Sequence, residues 1–265
     1  MKELEGGIIM FSEERRKKIL ETLEREGRVL VKELAEQFDV SIDSIRRDLS
    51  IMEDDQQLKR THGGAIPLPA VRSMPRNNDE RFGVSTSYQK EIAERAAAYI
   101  NPEQTVFIGG ASIHYAMLPY LPKEFSFTVV TNSVEIAYQL REFENIHTYV
   151  IGGKMKVSGN ITDPLAAQFA ERFHYDLCFA TGGGLTARGL STSTPEVALF
   201  HEKVYENSRR IITLVEHTKV GADLFTSMYP LKKLDIILTD EATTSAQVDE
   251  LESHGVKIIK VPKNK

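Results

Sequence analysis

Ser41-Ile-Asp-Ser-Ile-Arg-Arg-Asp-Leu49, followed a little further on by Arg60-Thr-His-Gly-Gly-Ala65, is the part of the chain that decides its fold. The first segment has the marks of a short helix. Ser41 suits the N-cap, and Ile42, Ile45 and Leu49 recur at the spacing of one apolar stripe. Ser44, Arg46, Arg47 and Asp48 then project around the remaining face. Hydroxyls and paired guanidinium groups on one short helix can reach base edges and phosphates together, so this helix is expected to read DNA.

The preceding residues supply its partners. Residues 12–26 form an amphipathic pattern with Ile19, Leu20 and Leu23 on one side, and Gly27 is suited to end it. Residues 31–38 give a second short helix through Leu34, Ala35 and Phe38, and Asp39-Val40 turns tightly into Ser41. Two helices so joined, the second bearing Ser and Arg, make a helix-turn-helix. After Met52 the chain is acidic (Glu53, Asp54, Asp55) and then runs Leu58-Lys-Arg-Thr-His-Gly-Gly-Ala65, which suits a two-stranded wing with glycines at its bend or exit. Lys59, Arg60, His62 and Gly63 would lie against the sugar-phosphate backbone or the neighbouring minor groove. An Arg-Arg pair alone is most often a solvated helix face; the helix spacing and the wing turn the reading toward double-stranded DNA. Residues 1–70 hold twelve Lys/Arg against fifteen Asp/Glu. Binding must therefore come from a local patch and from dimerisation, since there is no general positive field.

Arg15-Arg-Lys-Lys-Ile-Leu20, Val40-Ser-Ile-Asp-Ser-Ile-Arg-Arg-Asp-Leu49 and Arg60-Thr-His-Gly-Gly-Ala65 resemble the N-terminal winged helix of the DeoR family of bacterial sugar-operon regulators, over residues 12–67. Ser44 stands where that family commonly has Thr, and Gln57 near where it usually has Gly.

A chain of 265 residues suggests two domains. Pro67-Leu-Pro-Ala-Val-Arg-Ser-Met-Pro75 and the polar residues after it lack periodicity and read as linker. The expected division is residues 10–67, a linker at 68–84, and a second domain at 85–265. The 41% hydrophobic content supports a full core and 27% charged residues are ordinary for a soluble protein. No apolar run approaches the ~20 residues of a membrane helix, and the start has no signal-peptide architecture, so no membrane partner and a cytoplasmic location are expected. The single cysteine, Cys178, excludes an intramolecular disulfide, and its setting in Leu177-Cys-Phe-Ala180 suits a small buried hydrophobe. The seven histidines show no metal-ligand spacing; neither metal nor cofactor is expected. Residues 1–9 match nothing in the family pattern, and Met10 directly precedes the first helix, which makes it the expected start of translation.

The second domain alternates short apolar strands with helices. A helix runs from Tyr88 through Ile92, Ala93, Ala96 and Ala97. Strands are expected at 105–108, 127–131, 147–151, 176–180, 210–215, 234–240 and 256–261. Continuous apolar strands of this kind indicate an α/β fold with a mostly parallel, doubly wound, Rossmann-like sheet. At least four strands stop in Gly, Ser, Thr or Asn: Gly110-Ala111-Ser112, Thr131-Asn132-Ser133, Gly152-Gly153 and Gly182-Gly183. Ligands sit at that edge of open α/β sheets; glycines admit backbone amides to an anion, and Lys219 could add positive charge. The chemistry fits a phosphorylated small molecule, and no dinucleotide or Walker motif is present. Glu135, Glu171 and Glu196 follow strand ends or open helices and read as dipole partners.

This half resembles the DeoR-family effector domain, similar in fold to ribose-5-phosphate isomerase. The resemblance rests on Thr131-Asn-Ser133, Ile151-Gly-Gly153, the strand at 176–180 with its glycines, Gly189-Leu190, Thr218-Lys219 and the strand at 234–240, and it implies a sugar-phosphate pocket at the strand ends. Where the family usually carries Asp-x-Gly-[Ser/Thr]-Thr, this chain has Gly109-Gly-Ala-Ser-Ile113, so the leading acid is absent. Glu216 and Thr218 stand where Asp and Ser are common. Two functions follow: a sugar-phosphate-controlled regulator, most simply a repressor of a carbohydrate-utilisation operon acting as a homodimer or homotetramer; or a sugar-phosphate isomerase-like enzyme with a fused DNA-binding module. An isomerase needs a placed carboxylate base, and Gly109-Gly110 removes one, which favours binding without turnover.

Overall fold

The computed structural model describes residues 12–26, 28–55, 57–67 and 85–263. The expected helix stop at Gly27, the linker at 68–84 and the expected start at Met10 lie outside the described residues. The chain divides into two compact units, residues 1–70 and 71–265.

In the first unit α1 (Ser12–Glu26), β1 (Val29–Leu30), α2 (Val31–Gln37) and α3 (Ile42–Asp54) precede the hairpin of β2 (Leu58–Thr61) and β3 (Gly64–Pro67). Asp39 makes the turn between α2 and α3 with φ of 49°, a left-handed conformation that Asp tolerates. Ile19, Leu23, Leu34, Ile45, Leu49, Met52 and Leu58 form one core. Burial of these side chains, each worth about 1.5–3 kcal/mol, holds the three helices together.

Two expectations for α3 change. Ile42 is 40% exposed, and the stripe runs instead through Ile45, Leu49 and Met52. Asp48 does not project on the polar face: it is 3% exposed and receives the Arg15 Nε–H at 2.6 Å, with Arg16 at 3.6 Å. The helix is rotated so that one carboxylate enters the core side, because α1 brings two guanidinium groups to meet it.

The wing has a third strand. β1 pairs antiparallel with β3, Val29 opposite Ala65 and Leu30 opposite Gly64, giving the order β1-β3-β2. Gly64 is required there, since a Cβ would run into the Val29 carbonyl. Two residues are too short a run to show a strand in the sequence.

The second unit contains α4 (Ser87–Ala97), β4 (Thr105–Ile108), α5 (Ser112–Met117), β5 (Phe127–Thr131), α6 (Val134–Leu140), β6 (Ile146–Val150), α7 (Pro164–Ala170) and β7 (Leu177–Ala180). It continues through β8 (Gly184–Thr186), β9 (Gly189–Thr192), α8 (Pro195–Glu206), β10 (Ile211–Leu214), β11 (Thr226–Tyr229), β12 (Ile236–Asp240), α9 (Ser245–Glu252) and β13 (Lys257–Val261). Seven strands form one parallel sheet in the order β13-β12-β10-β7-β4-β5-β6. Alternation buries both faces: Val106 and Ile108 enter one core, while Phe107 between them enters the other with Cys178 and Ala180. That explains why these strands are apolar without a break.

From β4 the chain proceeds outward to β5 and β6, then returns to the other side of β4 with β7 and continues to β13. The order therefore reverses between β4 and β7, and a crevice for ligands forms beyond the carboxyl ends of the strands at such a point. A separate antiparallel sheet, β11-β9-β8, was not legible in the sequence, because Gly184–Thr186 and Gly189–Thr192 are short and carry almost no apolar residues.

Candidate functional site

Ser41 caps α3: its Oγ accepts the Ser44 N–H at 3.1 Å and shares a 2.9 Å hydrogen bond with the Ser44 hydroxyl. Both hydroxyls thus begin the helix rather than stand free above it. Arg46 and Arg47 are exposed, and Arg46 meets Asp43 at 3.3 Å across one turn. An exposed pair of that kind is worth no more than about 1 kcal/mol, so it yields readily to a phosphate.

Arg60 has a structural task as well. Its backbone N–H donates to Glu53 Oε1 at 2.8 Å and its guanidinium to Ser50 Oγ at 3.2 Å, which fastens β2 to the end of α3. Lys59 and His62 are exposed, and His62-Gly63 form the two-residue turn between Thr61 and Gly64. The Gly63 carbonyl accepts the Val31 N–H at 2.9 Å, so the turn is held from α2.

At the sheet edge the expected residues fall into four groups. Ser112 and Lys219 lie at the ends of β4 and β10, on either side of β7. Gly110 is cradled: Asn160 Nδ2 donates to its carbonyl at 3.2 Å, and a Cβ at this position would strike the Asn160 amide and the Ser133 side chain. Ala111 precedes α5, and its N–H donates to His114 Nδ1 at 3.5 Å.

Thr131, Asn132 and Ser133 are fully buried and bonded internally. Thr131 Oγ1 accepts the Ser133 N–H, Ser133 Oγ accepts the Ile136 N–H to cap α6, and Asn132 Nδ2 donates to the Ile161 carbonyl. Gly152 and Gly153 follow β6, which β5 separates from β4, so they stand away from the point of reversal. Gly182 and Gly183 approach β9 and Leu224 closely, and the Gly183 N–H donates to Ser191 O at 2.9 Å. The neighbours of Gly182 belong to the antiparallel sheet, and that of Gly183 is Leu224, just before β11.

The structure gives partners to further residues, of which the sequence had singled out only Glu216. His114 is fully buried between Gly109 and Phe179, and its pKa is lowered to about 3. Burial is the main cause, the charge of His201 the next, and Lys219 adds to the effect while a hydrogen bond with Gly109 opposes it. Glu216, also buried, accepts from Gln89 Nε2 at 2.9 Å and from Thr86 Oγ1 at 3.3 Å. Asp240 is held by His217 Nδ1 at 2.8 Å and by the His217 and Ala242 amides. Thr86-x-x-Gln89 before an amphipathic helix is a capping-box signal that could have marked the start of α4; nothing in the sequence marks His114.

Of the three glutamates read as dipole partners, Glu171 does not open a helix. It is the C-cap of α7 and pairs with Lys203 at 2.7 Å, while Glu196 in the first turn of α8 pairs with Lys156 at 2.8 Å. Among the described residues there is no cluster of His, Cys, Asp and Glu suited to a metal ion, and no helix long and apolar enough to cross a membrane.

A winged helix bearing exposed arginines, with a parallel-sheet unit whose strand order reverses between β4 and β7, defines a DNA-binding regulator with a sensor domain. Residues 15–68 match the DeoR-like helix-turn-helix domain and residues 85–241 the DeoR C terminal sensor domain. The chain belongs to the DeoR family of transcriptional regulators and is not an enzyme. It is 28% identical to the HTH-type transcriptional regulator GolR of Listeria innocua, covering 94% of this chain and 98% of that one. It is 27% identical to the glycerol-3-phosphate regulon repressor of Escherichia coli K12, over 94% and 99%. Ribose 5-phosphate isomerase A of Methanocaldococcus jannaschii aligns at a TM-score of 0.37 and 13% identity, over 49% of this chain and 52% of that one. A likeness at that level bears on neither mechanism nor ligand.

Proposed function

We propose that this regulator represses a carbohydrate-utilisation operon and is controlled by a phosphorylated sugar bound at the strand ends of its second unit. The observation that carries the reading is the position of Ser112 and Lys219 after β4 and β10, which flank β7 where the strand order reverses, in a chain whose other unit exposes Arg46 and Arg47. The repressor name borne by a relative similar over nearly its whole length supports the sense of control. Ser112 and Lys219 take the phosphate, with the backbone at Gly110 and Ala111. Thr131, Asn132, Ser133, Gly152, Gly153, Gly182 and Gly183 shape the surrounding loops. Ser41, Ser44, Arg46, Arg47, Lys59, Arg60, His62 and Gly63 make the DNA face. Residues 10–67, 68–84 and 85–265 act as DNA-binding domain, linker and sensor, and the protein works in the cytoplasm.

Turnover is disfavoured by how the nearby carboxylates are used. Glu216 is bonded to Thr86 and Gln89, and Asp240 to His217. Neither carboxylate is left free as the placed base that the isomerase alternative needs. Isomerisation of a pentose or hexose phosphate by the purified protein would refute this.

Two half-sites a helical turn apart call for two recognition helices, which supports a homodimer or homotetramer. Tyr149 and Val150 on the edge strand β6, with Leu165 and Phe169 on α7, are exposed, and Tyr149 and Phe169 both pack against Phe173. Sedimentation equilibrium should find no stable monomer.

Arg46→Ala and Arg47→Ala should each weaken operator binding by about 1–3 kcal/mol. Gel-shift titration checks this; parent-like affinity in both would remove α3 as the reading helix. Lys219→Ala should weaken binding of the effector sugar phosphate by ten- to hundredfold, the ~1.5–3 kcal/mol of a charge-assisted bond, and should leave DNA affinity without ligand unchanged. Calorimetric titration reads it, and an unaltered isotherm would exclude Lys219 from the site.

A further inference from the structure

Gln89 holds three elements at once. In the first turn of α4 its amide oxygen accepts the Thr86 backbone N–H at 3.2 Å, and its own backbone N–H donates to Thr86 Oγ1 at 3.1 Å, closing a capping box. Its amide nitrogen points the other way, donating to Glu216 Oε1 at 2.9 Å and to Ser112 Oγ at 3.4 Å. Thr86 Oγ1 adds its own bond to the second oxygen of Glu216 at 3.3 Å. The start of α4, the end of β10 and the loop after β4 are therefore joined through one side chain.

Two properties make this junction responsive. Glu216 is 9% exposed, so water offers its carboxylate few substitutes for the Gln89 and Thr86 donors. Ser112 serves both as a partner of Gln89 and as a proposed ligand contact. Glu216 and Lys219 lie three residues apart, joined by a hydrogen bond from the Lys219 N–H to the Glu216 carbonyl at 2.9 Å. An anion at Ser112 and Lys219 would thus bring negative charge toward Glu216 and draw the Ser112 hydroxyl away from Gln89.

We infer that Gln89 is the positioning residue through which ligand at the strand ends reaches the start of α4, where the chain runs on toward the winged helix. The inference rests on the sugar-phosphate reading above. Ligand arrival loosens the Gln89 and Thr86 bonds to Glu216 and Ser112, so the helix start has two arrangements of which the ligand selects one. The capping box by itself is the ordinary way to begin a helix; the extra bonds from the same amide to two strand ends give it this second role.

Gln89→Glu separates the two roles. Glutamate at this position keeps the capping box, while the amide donor to Glu216 and Ser112 is replaced by a carboxyl oxygen that opposes Glu216. Glycerol 3-phosphate, fructose 1-phosphate and glucose 6-phosphate serve as probes, with operator affinity measured in the presence and absence of each. In the parent, the effective probe should change operator affinity by about 5- to 150-fold, the usual range of coupling between sites. In Gln89→Glu the change should fall below about twofold, while the same probe still raises the melting temperature. Undiminished coupling in that variant overturns the inference alone. A parent whose operator affinity and melting temperature ignore every probe overturns the sugar-phosphate reading, and the inference with it. Should the variant fold poorly, hydrogen exchange in the parent decides: the effective probe must alter protection of the amides of residues 86–90, and unchanged protection there overturns the inference.

Discussion

Replacing Asp48 by alanine should destabilise the N-terminal unit by about 3–5 kcal/mol, the cost of breaking a buried ion pair by removing one member. Asp48 is 3% and Arg15 9% exposed, and the 2.6 Å bond between them ties α3 to α1. Arg16, at 3.6 Å, is a second cation on the same carboxylate and loses that partner as well. The penalty falls on the Arg15 guanidinium, which loses its 2.6 Å bond to Asp48 on the low-dielectric side of the helix pair. A double replacement, Arg15→Met with Asp48→Leu, should recover most of the stability, since apolar residues of similar volume are often neutral in place of such a pair. Calorimetry resolves the two cases, and gel shifts should show operator binding lost in the single variant. Equal melting of parent and Asp48→Ala would mean that the pair contributes nothing to holding α3.

The second large effect is acid sensitivity of the C-terminal unit. His114 is fully buried with its pKa lowered from 6.5 to about 3, burial being the main cause. A folded-state pKa below the unfolded one means that the unfolded chain binds the extra proton first. The neutral imidazole therefore contributes its full stability above pH 6.5 and loses it as pH falls from about 6.5 toward about 3. The slope should approach about 1.4 kcal/mol per pH unit, for a total of roughly 5 kcal/mol. All nine tyrosines lie beyond residue 85 and tryptophan is absent, so tyrosine fluorescence in urea reports this unit alone. Comparison with His114→Gln cancels the carboxylates common to both chains. Parallel stability curves for the two proteins between pH 6.5 and 4 would count against a buried neutral His114.

Much of the architecture was legible in the residues because it follows from local rules. The strands at 105–108 and 127–131 coincide with β4 and β5, since a central parallel strand must be apolar on both faces and ends where glycine or a hydroxyl begins the next turn. The helix at 12–26 coincides with α1 for a similar reason, its apolar side repeating at helical spacing. The antiparallel sheet left no such trace. Gly184–Thr186 and Gly189–Thr192 form a short hairpin, and Thr226–Tyr229 joins it by pairing with the second of them across more than thirty residues.

The candidate site divides the same way. Lys219, Ser112 and the glycine-rich strand ends could be named from composition at the edge of the sheet. Which of them meet could not. Gly152 and Gly153 read like Gly109 and Gly110, but strand order places the first pair beyond β5 and the second at the reversal beside β7. His114 and Gln89 have their roles only through partners distant in sequence: Phe179 and His201 for the one, Glu216 for the other.

Taken by itself, the sequence determined a winged helix with an arginine pair on its third helix, and a parallel-sheet unit with polar strand ends, because periodicity and turn chemistry act over a few residues. Only the tertiary structure decided that Asp48 turns inward, that β1 completes the wing, and that Gln89 joins a helix start to two strand ends. Burial and pairing between distant segments set those features, and a side chain's local spacing carries no record of the partner that will desolvate or bond it.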